Sequence, residues 1–367
     1  MLEPPIVIIG GGPAGATAAE NLAKKGKNVL LIERSKSYPY REKPCGGGLG
    51  PATIKLFPYT KLMGIHTTKK IAMLFGDDRI ELDIPIVMVN RNEFDLILLK
   101  RATVAGAVLR FESTVKRIDY SNKEVFLNDN ETQKFSFLIG AGGVRCPVAR
   151  NQNSPKATVP LLVGKADGGA LNSSETAEIV FFEGFKGYAW IFPKGKFLDV
   201  GIGGDASVKE LRKRLKAFLK ERKLTMYDKT GWTIPFEPPM DPVSCAMLMD
   251  STSAVCGDAA GFANPATGEG IRYAMQSGKE VAEVLLGTRD HKTYPTFLED
   301  LVRLRDYREK FFAKGLKEYF LELKKSPVLA RELAGFFFGD RPAPPSAPMT
   351  DDERLKALKA IDEKLGG

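Results

Sequence analysis

The sequence predicts an α/β chain: a parallel-sheet domain interrupted by other sheet segments, an α+β domain on an antiparallel sheet, and a C-terminal helical segment. Three observations predict it. Two apolar runs bracket a glycine turn and a helical stretch at the N-terminus, alternating segments punctuated by Gly and Pro fill residues 161–250, and a second glycine-rich turn and helix follow Cys256.

The opening "IVIIGGGPAGATAAENLAKKGKNVLLIER" reads as strand, tight turn, amphipathic helix and second strand, a βαβ unit. Gly10, Gly12 and Gly15 give the G-x-G-x-x-G spacing, which permits a sharp turn, close approach of backbone to a pyrophosphate, and tight helix-to-strand packing. The helix then directs free N–H groups at an anion. Glu33 closes the second strand 18 residues after Gly15, where a carboxylate can accept hydrogen bonds from ribose hydroxyls. Ala14 in the turn and Arg34 beside Glu33 complete the candidates of this unit, which is Rossmann-like.

Further along, "KKIAMLFGDDRIELDI" alternates like a hairpin, predicting sheet segments inserted near 65–90. "RNEFDLILLKRATVAGAVLRF" has helical character, and the run from Phe111 to Gly143 alternates again around polar turns. These boundaries predict a first nucleotide-binding part over 1–160, a sheet domain over 161–250 carrying the basic helix "VKELRKRLKAFLKERK", a return segment over 251–295, and a helical region over 296–367 in which "DRPAPPSAP" marks a linker.

A formal net charge of +9 points to an anionic partner: nucleic acid, a lipid headgroup or a phosphorylated substrate. No nucleic-acid module or dense basic-aromatic platform stands in the sequence, so nucleic acid is the poorest use of that charge. Cys45, Cys146, Cys245 and Cys256 show neither zinc-like spacing nor a secreted disulfide pattern, and His66 and His291 are isolated. No metal centre is expected. The chain enters an apolar strand without signal-peptide features, and no apolar run reaches the ~18 to 20 residues that cross a bilayer. A cytoplasmic protein follows as the expectation, with attachment to a membrane surface as its variant.

Three further segments carry a resemblance. "CGDAAGFANPATGEGIRYAMQSGKEVAE" and "NRNEFDLILL" resemble segments of flavoproteins with the para-hydroxybenzoate hydroxylase-like fold, and "KPCGGGL" with "YAWIFPKGKFLDVGIG" resembles the geranylgeranyl reductase family. The resemblance implies FAD contacts at Ala14, Glu33, the Cys45, Gly46 and Gly48 stretch, Arg91, Val115, Asp258, Gly270 and Ile271. It also makes the glycines after Cys45 a place where main chain lies close to a flavin. On local pattern the alternative role of Asp258 is a helix N-cap, and without the resemblance Arg91 reads as a solvated charge. Tyr188, Trp190 and Phe192 recur every second residue, so a strand projects them from one face, either as sheet core or as the wall of an apolar prenyl tunnel.

The expectation is an FAD-dependent reductase of isoprenoid double bonds in a prenyl lipid, with hydride from reduced flavin N5, a coupled proton, and Cys45 as acid or positioning group. In "GAGGVRCPVAR", Gly142 and Cys146 stand where related hydroxylases have an Asp and a Ser, so the electron donor is NADPH, ferredoxin or another donor protein. A monooxygenase or halogenase on the same fold, and a non-catalytic prenyl-binding carrier, are the alternatives. The C-terminal run from Arg303 to Phe338 mixes Lys/Arg with Phe, Tyr and Leu at helical spacing, which fits a helix packed on the domain or one docked on anionic lipid.

Overall fold

A computed structural model describes residues 3–36, 43–151, 158–235, 237 and 248–338. Cys245 and the segment "DRPAPPSAP" lie outside the described residues. The chain forms two compact units, one from Met1–Lys43, Asn90–Thr158 and Thr233–Val302, the other from Pro44–Val89, Val159–Trp232 and Arg303–Gly367.

In the first unit five parallel strands lie in the order Ser253–Val255, Phe137–Gly140, Ile6–Ile9, Val29–Ile32, Val108–Arg110. Strand Ile6–Ile9 is apolar throughout and buried, as a central parallel strand covered on both faces must be. The first helix, Pro13–Ala23, follows it at once. The late helix, Ile271–Leu285, packs so tightly on the first that a Cβ on Gly278 would overlap the Ala14 carbonyl oxygen. Helix Arg91–Val104 is tied to the first helix by Arg101, which donates to both oxygens of buried Glu20 at 3.1 and 2.6 Å. A separate antiparallel sheet carries Val115–Asp119, Glu124–Leu127 and Thr132–Lys134.

The run beginning at Arg91 is not one helix. It stops at Val104, turns at Gly106 with φ of 108°, and supplies strand Val108–Arg110 at the edge of the parallel sheet. Glycine in the left-handed region ends the helix, and the apolar residues beyond it continue as strand.

The second unit is built on a seven-stranded sheet in the order Met226–Pro235, Thr158–Ala166, Leu198–Gly204, Gly187–Pro193, Thr176–Phe181, Lys70–Phe75, Asp78–Leu82. The hairpin expected as an insertion near 65–90 is therefore part of this sheet, and the segment that contributes it begins at Pro44. Lys70–Phe75 runs parallel to Thr176–Phe181, so the sheet is mixed rather than purely antiparallel. A small sheet joins Gly48–Leu49, Ile86–Met88 and His66–Thr68.

Alternation along each strand sends side chains to two cores. On one face Val180, Ala189, Ile191, Val200 and Ile202 meet Leu211, Leu215 and Phe218 of the basic helix Val208–Glu221. On the other, Ile71, Met73 and Ile179 meet Phe311, Leu316, Tyr319, Phe320 and Leu323, with Tyr188 and Phe192 packed against the cluster. Phe311, Leu316, Tyr319, Phe320 and Leu323 come from helices Leu298–Lys314 and Leu316–Lys325, so the C-terminal aromatics close the core of the sheet.

Phe320 is fully buried, with ring centroids 5.6 Å from Phe75 and 5.9 Å from Phe181. Phe320→Ala is expected to lower unfolding free energy by about 3–5 kcal/mol, as for other buried aromatic truncations. Urea denaturation of the two proteins measures it, and a change under about 1 kcal/mol would mean that the helices do not cover the sheet.

Candidate active site

The glycine turn separates packing from binding. A Cβ on Gly10 would overlap the Ala141 carbonyl oxygen, and one on Gly15 would overlap the carbonyl oxygen of Gly10. A Cβ on Gly12 would meet only the Lys43 ammonium, 2.8 Å away, so the space beside this backbone holds a positive charge. The first helix begins there with no side-chain cap and with Pro13 at its start. Uncapped N–H groups beside a lysine form a cradle for an anionic group. Glu33 is 6% exposed and accepts from the N–H groups of Gly11 at 2.6 Å and Ser35 at 2.9 Å. A carboxylate offers about four acceptor sites, so capacity for ribose hydroxyls is left. Arg34 points outward and is exposed.

Arg91 stands at the start of its helix, behind Asn90, whose side chain accepts from the Asn92 N–H at 3.0 Å. It grips Asp95 through two hydrogen bonds of 3.1 Å, and Lys43 approaches the same carboxylate at 3.4 Å. Asp95 is 1% exposed, so two cations hold one buried anion. Sequence reasoning missed both Lys43 and Asp95. The i,i+4 spacing of Arg91 and Asp95 was the available signal for one; nothing local announces Lys43.

Asp258 sits in the short 3-10 turn Gly257–Ala260 after strand Ser253–Val255. Burial pushes its carboxyl above the ordinary range, against the lowering pull of Arg91 and Lys43. Its Oδ1 lies 3.3 Å from where a Cβ on Gly270 would stand, and the helix starting at Ile271 has no side-chain cap. Asp258, Gly270 and Ile271 thus meet at one helix N-terminus. Asn264, also missed, shapes the loop between them by accepting from the N–H groups of Ala266 and Thr267 at 2.9 and 3.1 Å. Val115 is half-buried in the three-stranded sheet, opposite the irregularity at Phe126/Leu127.

In the second unit Cys45 is half-buried, and its sulfur accepts from the Gly47 N–H at 3.3 Å. The glycines beside it answer a packing need within this unit. A Cβ on Gly46 would come 2.9 Å from the Phe192 ring and 3.3 Å from Trp190 Nε1, one on Gly47 2.6 Å from the Val89 oxygen, and one on Gly48 3.0 Å from Ile86. Tyr188, Trp190 and Phe192 share one face of strand Gly187–Pro193, with successive centroids 6.1 and 6.4 Å apart. Gly203 and Gly201 stand opposite Tyr188 and Trp190, and Trp190 Nε1 donates to Asp199 at 2.7 Å. Burial, with Cys45 nearby, pushes the Tyr188 hydroxyl up, so it stays neutral.

The first unit has what an FAD-binding flavoprotein needs: an open glycine cradle, an acceptor carboxylate at the second strand, and a half-buried Asp at a late helix N-terminus. The profile of the family described as FAD binding domain matches residues 3–160. The chain is 33% identical over 304 residues to the geranylgeranyl diphosphate reductase of Rhodobacter capsulatus, covering 76% of this chain and 74% of that one. It is 27% identical over 386 residues to the digeranylgeranylglycerophospholipid reductase of Methanocaldococcus jannaschii, covering 99% and 91%. The crystal structure of a geranylgeranyl bacteriochlorophyll reductase-like protein from Thermoplasma acidophilum superposes with a TM-score of 0.75 at 19% identity, covering 99% and 98% of the two chains. The chain binds FAD and belongs to the geranylgeranyl reductase family.

Because the Asp258 carboxyl is raised in the fold, the stability it contributes is present below the unfolded carboxylate range and lost as pH rises through its folded value. Asp258→Asn removes that loss. With FAD stripped, the variant is expected to melt no lower than wild type at neutral pH, while its FAD dissociation constant rises about tenfold, the effect of one hydrogen bond. Melting curves across pH and flavin fluorescence titration measure the two effects. A variant that binds FAD as tightly as wild type would remove Asp258 from the site.

Proposed function

We propose that the protein is an FAD-dependent reductase that saturates isoprenoid double bonds of a prenyl lipid. The observation that carries this reading is the 33% identity to a geranylgeranyl diphosphate reductase over three quarters of each chain. The aromatic strand supports it: Tyr188 and Phe192 are only half-buried, so their rings still offer apolar surface to a long hydrocarbon. The geranylgeranyl diphosphate and digeranylgeranylglycerophospholipid named for the relatives define the substrate class.

An isolated trisubstituted alkene is not polarised, so one carbon must gain a hydride while the other gains a proton. When bound and reduced, FAD supplies the hydride. Glu33, Arg91 and Asp258 hold and orient the nucleotide and flavin portions in the first unit. Tyr188, Trp190 and Phe192 hold the prenyl chain and exclude water. Cys45 is the group assigned to the proton step. The donor that reduces the flavin is NADPH or a ferredoxin-type protein.

Among the described residues no helix is long and apolar enough to cross a membrane. The Phe and Leu residues of the C-terminal helices that close the sheet core are not offered to lipid. Exposed apolar side chains gather instead at Leu56, Leu62 and Ile65, with Leu62 88% exposed, beside exposed Lys55 and Lys61. From Lys43 to Gly76 the sequence has no carboxylate. This segment is assigned the contact with an anionic bilayer that delivers the substrate.

Anaerobic incubation of dithionite-reduced protein with prenyl lipids is expected to add two mass units per saturated bond, and Cys45→Ala to slow that step at least tenfold if the thiol supplies the proton. Halide-dependent product, oxygen-dependent hydroxylation, or a colourless protein would replace the reading by a halogenase, a monooxygenase or a carrier respectively. Leu62→Glu is expected to reduce flotation with phosphatidylserine liposomes several-fold while FAD content stays constant, since apolar area and charge act together at an interface. Unchanged flotation would remove the segment from lipid contact.

A further inference from the structure

Lys194 follows Pro193 at the end of the aromatic strand and is 4% exposed. Its ammonium donates to the carbonyl oxygens of Gly46 at 2.5 Å, Val89 at 3.0 Å and Gly47 at 3.4 Å. Burying an ammonium is costly unless its bonds are made, so a side chain serving only to fill space here would be apolar. Two of these carbonyls, those of Gly46 and Gly47, belong to the loop that carries Cys45, and that of Val89 follows strand Ile86–Met88.

The geometry of one peptide gives the bond its consequence. A trans peptide points its C=O and N–H in opposite directions. Lys194 takes the Gly46 carbonyl to one side, so the Gly47 N–H of the same peptide is directed to the other, where it donates to Cys45 Sγ at 3.3 Å. A charge-assisted bond at the oxygen also polarises the amide and strengthens that donor. The arrangement is held from three sides. The Gly47 carbonyl accepts from the Val89 N–H at 2.8 Å, Gly47 takes φ of 59°, and the Phe192 and Trp190 rings fill the space that a Cβ on Gly46 would need.

We propose that Lys194 is a positioning residue: through the Gly46–Gly47 peptide it fixes the orientation of the Cys45 thiol and couples it to the aromatic strand. This rests on the reductase reading and on a proton step at Cys45. Lys194 touches no substrate in this scheme; it acts on the loop.

The test is a double-mutant cycle on the full-length, FAD-loaded protein, reading kcat and KM for saturation of a prenyl lipid, FAD content and melting temperature. Lys194→Met is expected to lower kcat about tenfold, the scale of one charged hydrogen bond, with KM within about twofold and FAD content unchanged. Lys194→Arg, which keeps the charge and donors, is expected to recover most of the rate. In a Cys45→Ala background Lys194→Met should change kcat less than about twofold, because the two residues act as one unit. Losses that multiply, a wild-type rate in Lys194→Met, or an Arg variant as slow as the Met variant would each overturn the role. Should the Met variant not fold, Lys194→Gln enters the cycle in its place. A wild-type chain that saturates no prenyl lipid overturns the reductase reading and this role with it. An active wild type with independent effects overturns the Lys194 role alone.

Discussion

Buried charge has to be held, and the candidate site of the first unit is organised around the carboxylates of Glu33 and Asp95, which are buried, and Asp258, which is partly so. Each is managed differently. Glu33 is satisfied by two backbone N–H groups at the end of its own strand, Asp95 by a bidentate arginine and a lysine, and Asp258 by shifting toward its neutral form. Unpaired, any one of them would cost several kcal/mol. Lys43, beside Gly12, and the start of helix Arg91–Val104 are joined through Asp95, and the space beside them is the one proposed for the nucleotide.

In the second unit the constraint is the two-residue period of a strand. Gly187–Pro193 carries Ala189 and Ile191 into one core and Tyr188, Trp190 and Phe192 toward the other. A shift of one residue would exchange every side chain between the cores. Gly201 enforces the register, since a Cβ there would overlap the Trp190 ring. The aromatic face is thus locked to the returning strand, and Trp190 is fixed further by Asp199. Glycine is demanded here by ring volume, just as Gly46 is demanded by Phe192.

What was legible in the sequence was local or periodic. The first βαβ unit announces itself because strand, turn, helix and acid fall within about thirty consecutive residues, each with its own signal. The aromatic alternation predicted one strand face, and the strand has it. What stayed hidden depends on distant pairing. Nothing in "KKIAMLFGDDRIELDI" says that it runs parallel to Thr176–Phe181, about a hundred residues away. The C-terminal Phe and Leu residues read equally as surface or core until a sheet face is there to receive them. Lys43 and Lys194 look like ordinary surface lysines in a chain of net charge +9, and only the fold shows that one meets Asp95 and the other three carbonyls.

The departure at Gly142 and Cys146 follows from the same logic of burial. Gly140 ends its strand so tightly enclosed that a Cβ would fall 2.6 Å from Val148, 3.0 Å from Cys146 Sγ and 3.0 Å from Val255. Cys146 and Cys256 are both buried, and burial, reinforced by the neighbouring Cys146, pushes the Cys256 thiol up. Both therefore serve as small packing groups, unlike the half-buried Cys45. Gly142 itself is partly exposed, and a Cβ there would meet only Cys146, at 3.3–3.4 Å; neither thiol replaces the charge of an Asp.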